Sequence, residues 1–407
     1  MWMSLHNSLP RWRGRLEPHW RGFAQSTSAQ AFNLLGIIAG SILAESYDVF
    51  SRYPWALLMF PGLLSNRGAI GGLFSGRLST GLHLGTVMPN VRGNTEDAYL
   101  LLSSIVTLTG LSAALILVGV SIYSVCIYRI GLKELYQLFL VLFATLGLSI
   151  LVITPTTYLT SIHAYNRGLD PDMVVYPVTS TTADVSISFI YVSMLRLLAR
   201  DHPLGNLAML SVAASFIGAA AWVHIRSRGK AEYDKTLREF SGTLVVVTLI
   251  VTLTGSMLGR ISTRIGDTAE IYAIYPAMID TVGDVGSIIG STATTKLILG
   301  YYEAELSSLK SHMGEVAYAW GGSLLLFALY AIISGTAYGF KGIHSLLAVV
   351  IWTNVLVVPL ISLVSFSVAI VSFNWGLDPD NFVIPFETSL ADSLTTVFLY
   401  LMILVWY

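Results

Sequence analysis

Apolar stretches of about 20 residues, the length that crosses a hydrocarbon core about 30 Å thick, recur throughout this chain. They lie near 29–46, 54–84, 97–125, 134–160, 173–197, 204–225, 238–259, 268–300, 315–339, 342–373 and 382–407. In lipid the backbone hydrogen bonds must close within each segment, so about eleven such segments predict an all-α, polytopic membrane protein with the bilayer as its solvent. Several run beyond 25 residues, which predicts tilt, kinks at Gly and Pro, or extension past the lipid. The composition agrees: 54% of residues are hydrophobic and 12% charged, against about 25% charged in a soluble domain. A net charge of −1 gives no footprint for nucleic acid, and the single Cys126 excludes an intrachain disulfide or a thiolate cluster.

Lys and Arg in short connections mark the cytoplasmic side. With the N-terminus inside, 12 of them fall inside and 8 outside, and both dense clusters, the N-terminus and 226–238, are inside. The expected topology has a cytoplasmic N-terminus and an extracytoplasmic C-terminus in the cell membrane. Arg11, Arg13, Arg15 and Arg21 stand among Trp2, Trp12 and Trp20 with no apolar core of signal-peptide length, so residues 1–28 read as a basic juxtamembrane segment.

The chain also repeats itself. "GSIL" at 40–43 answers "GSML" at 255–258, and 53–80 answers 269–295, both at an offset of 215 that sets Pro61 against Pro276 and Gly68 against Gly283. Later, "GLDPDMVVYPVTSTTAD" at 168–184 answers "GLDPDNFVIPFETSLAD" at 376–392 at an offset of 208. Two five-helix repeats are expected, 29–200 and 231–407, joined by a linker helix within 201–230. Five crossings invert the next unit, and the extra crossing restores it, so the repeats are expected to be parallel about an axis along the membrane normal.

Carboxylates mark the expected pathway. Asp184 lies 12 residues beyond Asp172, about 18 Å along a helix, where half the hydrocarbon core is about 15 Å. Asp184 and Asp392 are thus expected near mid-membrane, with Asp170, Asp172, Asp378 and Asp380 at the cytoplasmic mouth. A carboxylate at that depth costs at least about 2.5 kcal/mol without water, a partner or a cation. Arg67, Arg77 and Lys296 are competing partners, but Asp184, Asp280, Asp284, Glu387 and Asp392 outnumber them. Hydroxyls crowd the same places: Ser180, Thr181 and Thr182 before Asp184, Thr388 and Ser389 before Asp392, and Thr292, Thr294 and Thr295 after Asp284. Oxygen ligands of these kinds suit a hard cation such as Mg²⁺ or Ca²⁺, which keeps waters, rather than zinc or copper, which favour His and Cys. Gly68, Gly71, Gly72 and Gly76, with Gly283, Gly286 and Gly290, permit close helix approach or a broken helix beside the axis.

"PGLLSNRGAIGGLFSGRLSTGLHLG" at 61–85 and the two "GLDPD…P…AD" stretches resemble the MgtE family of magnesium channels, and more closely the magnesium solute carriers that fuse two MgtE-like halves. The resemblance covers about 29–407. It implies a pore where two five-helix units meet, the central ion on Asp184 and Asp392, and the cytoplasmic mouth at Asp170 and Asp378. The family's Gly-Asn is replaced by Gly68-Ala69 and Gly283-Asp284, and Thr179 stands opposite Glu387. Charge has moved into the second half, toward an off-axis site at Asp284, Glu387 and Asp392. With only about 28 residues before the first span, gating by a large sensor domain is not expected.

The expectation is transmembrane transport of a hard divalent cation, Mg²⁺ first, through a pathway between two pseudo-symmetric halves. The pathway is lined by Asp184, Asp392, Asp284 and Glu387, with Ser180, Thr181, Thr388, Ser389, Gly68, Gly283, Thr294 and Thr295 along it. One chain supplies both halves, and a homodimer is compatible with that. The alternative is a Na⁺- or H⁺-coupled exchanger with an off-axis site in the second half. An intramembrane aspartyl protease is remote, since Tyr47-Asp48 falls in a predicted loop and Thr281-Val282-Gly283-Asp284 lacks a Gly-x-Gly-Asp. A non-transporting receptor or scaffold predicts salt-bridged carboxylates with no ion dependence. No enzymatic activity is expected.

Overall fold

In this computed structural model the described residues are 19–407 except 168–170, 267, 299, 302, 340–342, 376–378 and 407, with no side-chain description for 171–177, 379–386 and a few others. Among them the chain is a series of helices with no strand. They are α1 (His19–Gln30), a 3₁₀ turn (Ala31–Leu35), α2 (Gly36–Ala44), the short α3 (Tyr47–Arg52), α4 (Pro54–Leu84), α5 (Glu96–Tyr123), α6 (Leu132–Asn166) and α7 (Pro171–Ala199). There follow α8 (Pro203–Ser227), α9 (Ala231–Ile265), α10 (Ala269–Ile298), α11 (Leu309–Tyr338), α12 (Ile343–Asn374) and α13 (Pro379–Trp406).

Nine of the described segments are long and apolar enough to cross a bilayer. The two other predicted spans are α4 and α10, helices of 31 and 30 residues whose polar content lowers their hydropathy. Both are buried by the rest of the bundle rather than facing lipid, which is why they tolerate charge. The chain is therefore a polytopic all-α membrane protein.

Two expectations change. The predicted first span at 29–46 is not one helix: the apolar segment Ser26–Ala44 contains the 3₁₀ turn, which presents Asn33 inward. Conversely, α4 and α10 are continuous despite Pro61 and Pro276 and are not broken helices. Each proline only removes one N–H from the ladder, at the carbonyls of Leu57 and Tyr272 respectively.

Those turns are where neighbouring helices come closest. α2 packs on α10 and α9 packs on α4. A Cβ added at Gly40 would collide with the Ala273 and Tyr272 carbonyls, and one at Gly255 with the Leu58 carbonyl. Gly40 and Gly255 are 215 apart, as are Leu58 and Ala273, so one contact is made twice by offset-related residues. Backbone cannot yield as a side chain can, so Gly40→Ala and Gly255→Ala are each expected to cost about 1–3 kcal/mol. The expected result is a lowered thermal-unfolding midpoint in detergent for both variants by similar amounts. An unchanged midpoint in either would show that the close approach is not native.

α8 stands apart in character. It packs on α5 and α6 through positions such as Phe216, which fills the space over Gly147. Leu204, Leu207, Trp222 and Ile225 are exposed, as suits a face toward lipid.

Candidate functional site

Four long helices, α4, α7, α10 and α13, carry the polar residues of the interior near their midpoints. Apolar flanks on each bury those midpoints: Leu63 and Leu64 on α4, Ala183 and Ile187 on α7, Ile279 and Val282 on α10, and Ala391 on α13 are all buried. α13 packs against α4 and α10, while α4 also packs against α7.

On one side of this group Ser65 of α4 donates a short hydrogen bond to Asp392 Oδ2 of α13. On the other, the Arg67 guanidinium of α4 reaches between α7 and α10. Its Nη2 lies 2.6 Å from Asp184 Oδ1 and 2.9 Å from Asp280 Oδ1, and its Nη1 donates to Ser180 Oγ at 2.9 Å. Asn33 donates through Nδ2 to Asp284 Oδ2 at 2.8 Å and to Thr281 Oγ1 at 3.3 Å. Thr281 also meets the Tyr330 hydroxyl at 2.7 Å, so the Asn33 amide is held from two sides. Farther from the centre, Ser287 donates to Glu387 Oε2 at 3.1 Å.

A cavity of about 280 Å³, counting the solvent space it shares, lies among these groups. Its lining is Leu64, Arg67, Gly68, Ser180, Ile279, Asp280, Gly283, Asp284, Thr388 and Asp392. Three pairs in that set are offset mates: Leu64 with Ile279, Gly68 with Gly283, and Ser180 with Thr388. Among the described residues the space beside the two glycines is only lightly filled. Among them nothing stands within 4 Å of a Cβ added at Gly283, and only the Thr388 side chain, at 3.6 Å, stands near one at Gly68.

The expected residues are not all brought together. Asp392, Asp284, Ser180, Thr388, Gly68 and Gly283 share the cavity, while Asp184 sits behind the Arg67 guanidinium and is fully buried. Glu387 is fully buried off the cavity, beside Gly286. Ser389 is buried on α13, and Thr181 donates to the Phe32 carbonyl at 3.4 Å. Thr294 is buried ten residues beyond Asp284, about 15 Å along α10, outside the central group. Asp170 and Asp378 lie outside the described residues, as do the side chains of Asp172, Asp380 and Thr295.

The charge balance is lopsided. Of the three deep cations, Arg77 bonds Thr236 and Glu239, and Lys296 pairs with Glu315, so among the described residues only Arg67 enters the carboxylate group. It pairs with Asp184 and Asp280 and shares the cavity with Asp284 and Asp392, and Asp280 Oδ2 and Glu387 Oε1 are buried with no hydrogen-bond partner among the described residues. Unpaired buried carboxylate oxygens are costly, and a cation offsets that cost. Yet no three His, Cys, Asp or Glu side chains among the described residues converge on one point that could hold a bare metal ion. That arrangement fits an ion that keeps part of its water shell, as Mg²⁺ does.

Asn33, Ser65 and Ser287 hydrogen-bond the buried carboxylates, and sequence reasoning missed all three. Ser65 was reachable, being the offset mate of Asp280. Asn33 carried no signal, because nothing local says which way a turn inside an apolar span faces.

No curated protein and no solved structure matches this chain. The family model for MgtE, described as a divalent cation transporter, matches two separate segments, residues 60–194 and 275–403. The segments begin 215 residues apart, the offset that relates Gly40 to Gly255 and Gly68 to Gly283, so each half of the chain matches the family once. With both segments together covering well over half of its length, the chain belongs to the MgtE family of divalent cation transporters.

Proposed function

We propose that this chain carries a hard divalent cation, Mg²⁺ ahead of other divalent ions, along the axis between two parallel five-helix units, 29–200 and 231–407, with α8 as the linker that keeps them parallel. The observation that carries this reading is the cavity lined by three offset-related pairs and edged by carboxylates in excess of cations. Residues that exchange places under the offset lie about its axis, and a path on that axis needs only one chain. Asp392 and Asp284 hold the hydrated ion, Thr388 and Ser180 supply neutral oxygens, and Gly68 and Gly283 leave room for its water. Asp170 and Asp378 belong to the mouth. The Lys and Arg distribution supports a cytoplasmic mouth and N-terminus and an extracytoplasmic C-terminus.

A second reading, coupled exchange, has its own support in Glu387. Its Oε1 is buried off the axis with no hydrogen-bond partner among the described residues, and a proton or Na⁺ would satisfy it. The membrane potential alone supplies about 4.6 kcal/mol per 100 mV to a doubly charged ion, so a channel needs no second ion.

The test is Mg²⁺ entry into proteoliposomes holding an Mg²⁺-sensitive dye, at a clamped potential, with and without a Na⁺ or H⁺ gradient. Flux that follows potential alone is the expected result. Flux that requires a counter-gradient assigns the exchanger, and a folded protein that moves no Mg²⁺ overturns the reading.

A further inference from the structure

The two sides of the cavity are offset mates with different chemistry. Ser65 and Asp280 correspond at 215, and Asp392 and Asp184 at 208. The Ser65–Asp392 contact therefore has its counterpart in Asp280 and Asp184. The first pairing holds one carboxylate, satisfied by a hydroxyl. The second holds two, and Arg67 stands between them. Arg67 has no counterpart, because its own mate is Val282.

We propose that Arg67 is a tethered cation occupying one of two equivalent ion positions on either side of the axis, so that the mobile divalent ion is confined to the other, at Asp392. This rests on the transport reading above. The guanidinium spans both halves of the chain, joining Asp184 of the first to Asp280 of the second, with Ser180 as a third acceptor. It lines the cavity, its side chain is 7% exposed, and Asp280 Oδ2 beside it has no partner among the described residues. A fixed positive charge there repels a divalent ion that approaches Asp184. The consequence is a single ion in the cavity at a time, held on the Asp392 side of the axis. The competing role is a purely structural clamp between α4, α7 and α10, and a clamp has no effect on how many ions bind.

Arg67→Val combined with Asp280→Ser separates the two. It removes one positive and one negative charge together and reproduces at Asp184 the chemistry already present around Asp392. Titration of the purified full chain with Mg²⁺ by calorimetry is expected to change from one ion to two per chain, with the half-saturating concentration lowered about tenfold, the effect of roughly 1.4 kcal/mol. Unchanged stoichiometry and affinity in a folded double variant would overturn the proposal. Arg67→Lys covers the case in which the double variant does not fold. Its ammonium keeps the charge but loses the rigid fork, so it is more readily displaced. Mg²⁺ flux in proteoliposomes is then expected to rise above wild type, whereas a clamp predicts lower thermal stability with flux unchanged or reduced. Wild type that transports Mg²⁺ beside variants with no such gain removes the tethered cation alone. Wild type that neither binds nor transports Mg²⁺ removes the transport reading and this inference together.

Discussion

Asp392→Asn is expected to lower Mg²⁺ flux by about tenfold or more while leaving the protein folded. The amide is close to isosteric with the carboxylate and still offers an oxygen to the Ser65 hydroxyl, so the α4–α13 contact survives. The charge does not survive. A unit charge about 4 Å away at an effective dielectric of about 20 interacts with about 4 kcal/mol per charge of the ion, and retaining even a third of that corresponds to a factor of ten. Its offset mate behaves differently. Asp184→Asn leaves the Arg67 guanidinium buried with part of its counter-charge gone, and breaking a buried pair from one side costs about 3–5 kcal/mol. The two aspartates, which close matching phrases of the sequence, are therefore expected to separate: one variant stable but poorly transporting, the other unstable in detergent. Flux in proteoliposomes and thermal unfolding on both variants checks this. Wild-type flux in Asp392→Asn would take the ion off that carboxylate, and wild-type stability in Asp184→Asn would mean that Arg67 is held mainly by Asp280 and Ser180.

How much of this was legible follows from what each feature depends on. The spans were readable because an apolar run of bilayer length has one use, and the predicted 54–84 coincides with α4. Where local chemistry competed with apolarity the reading slipped. A 3₁₀ turn divides the first span, and its Asn33 bonds residues about 250 positions away, which no window along the chain can register. Proline and glycine together suggested a broken helix in α4 and α10, but a proline removes only one ladder bond, and tight packing by α9 and α2 supports the helix on either side of it. The candidate carboxylates were nameable because intramembrane charge is costly and so has a purpose. Their partners were not, since Arg67 could equally have met Asp392. Which pairing forms is a matter of side-chain direction across helices, set by the packed bundle. The offset arithmetic alone reaches across that gap: applied to Asp280 it finds Ser65, and applied to Glu387 it finds Thr179.

That last pair leads to a contrast between two alanine substitutions. Gly71 and Gly286 are offset mates. Among the described residues a Cβ at Gly71 meets nothing within 4 Å, whereas one at Gly286 collides with the Glu387 carboxylate and comes within 2.9 Å of Ser365 Oγ. The difference arises because the second half carries Glu387 where the first has Thr179, and the longer side chain fills the space over the glycine. Gly71→Ala is accordingly expected to be close to neutral, or slightly favourable, since alanine suits a helix interior better than glycine by about 1 kcal/mol. Gly286→Ala must push a buried carboxylate out of its place, away from Ser287, and an overpacked interior costs about 1–3 kcal/mol before the lost hydrogen bond is added. Adding Glu387→Thr, which copies the first half, is expected to recover most of that loss, because it removes the atoms that collide and the charge that is stranded. Thermal unfolding of the three variants checks the contrast. If Gly71→Ala and Gly286→Ala cost the same, Glu387 does not rest against Gly286. If the double variant stays as unstable as Gly286→Ala alone, the collision is with Ser365 and α12 instead. If it recovers stability and still transports Mg²⁺ with the potential dependence of wild type, Glu387 is not needed for coupling, and the route runs through Asp392 without it.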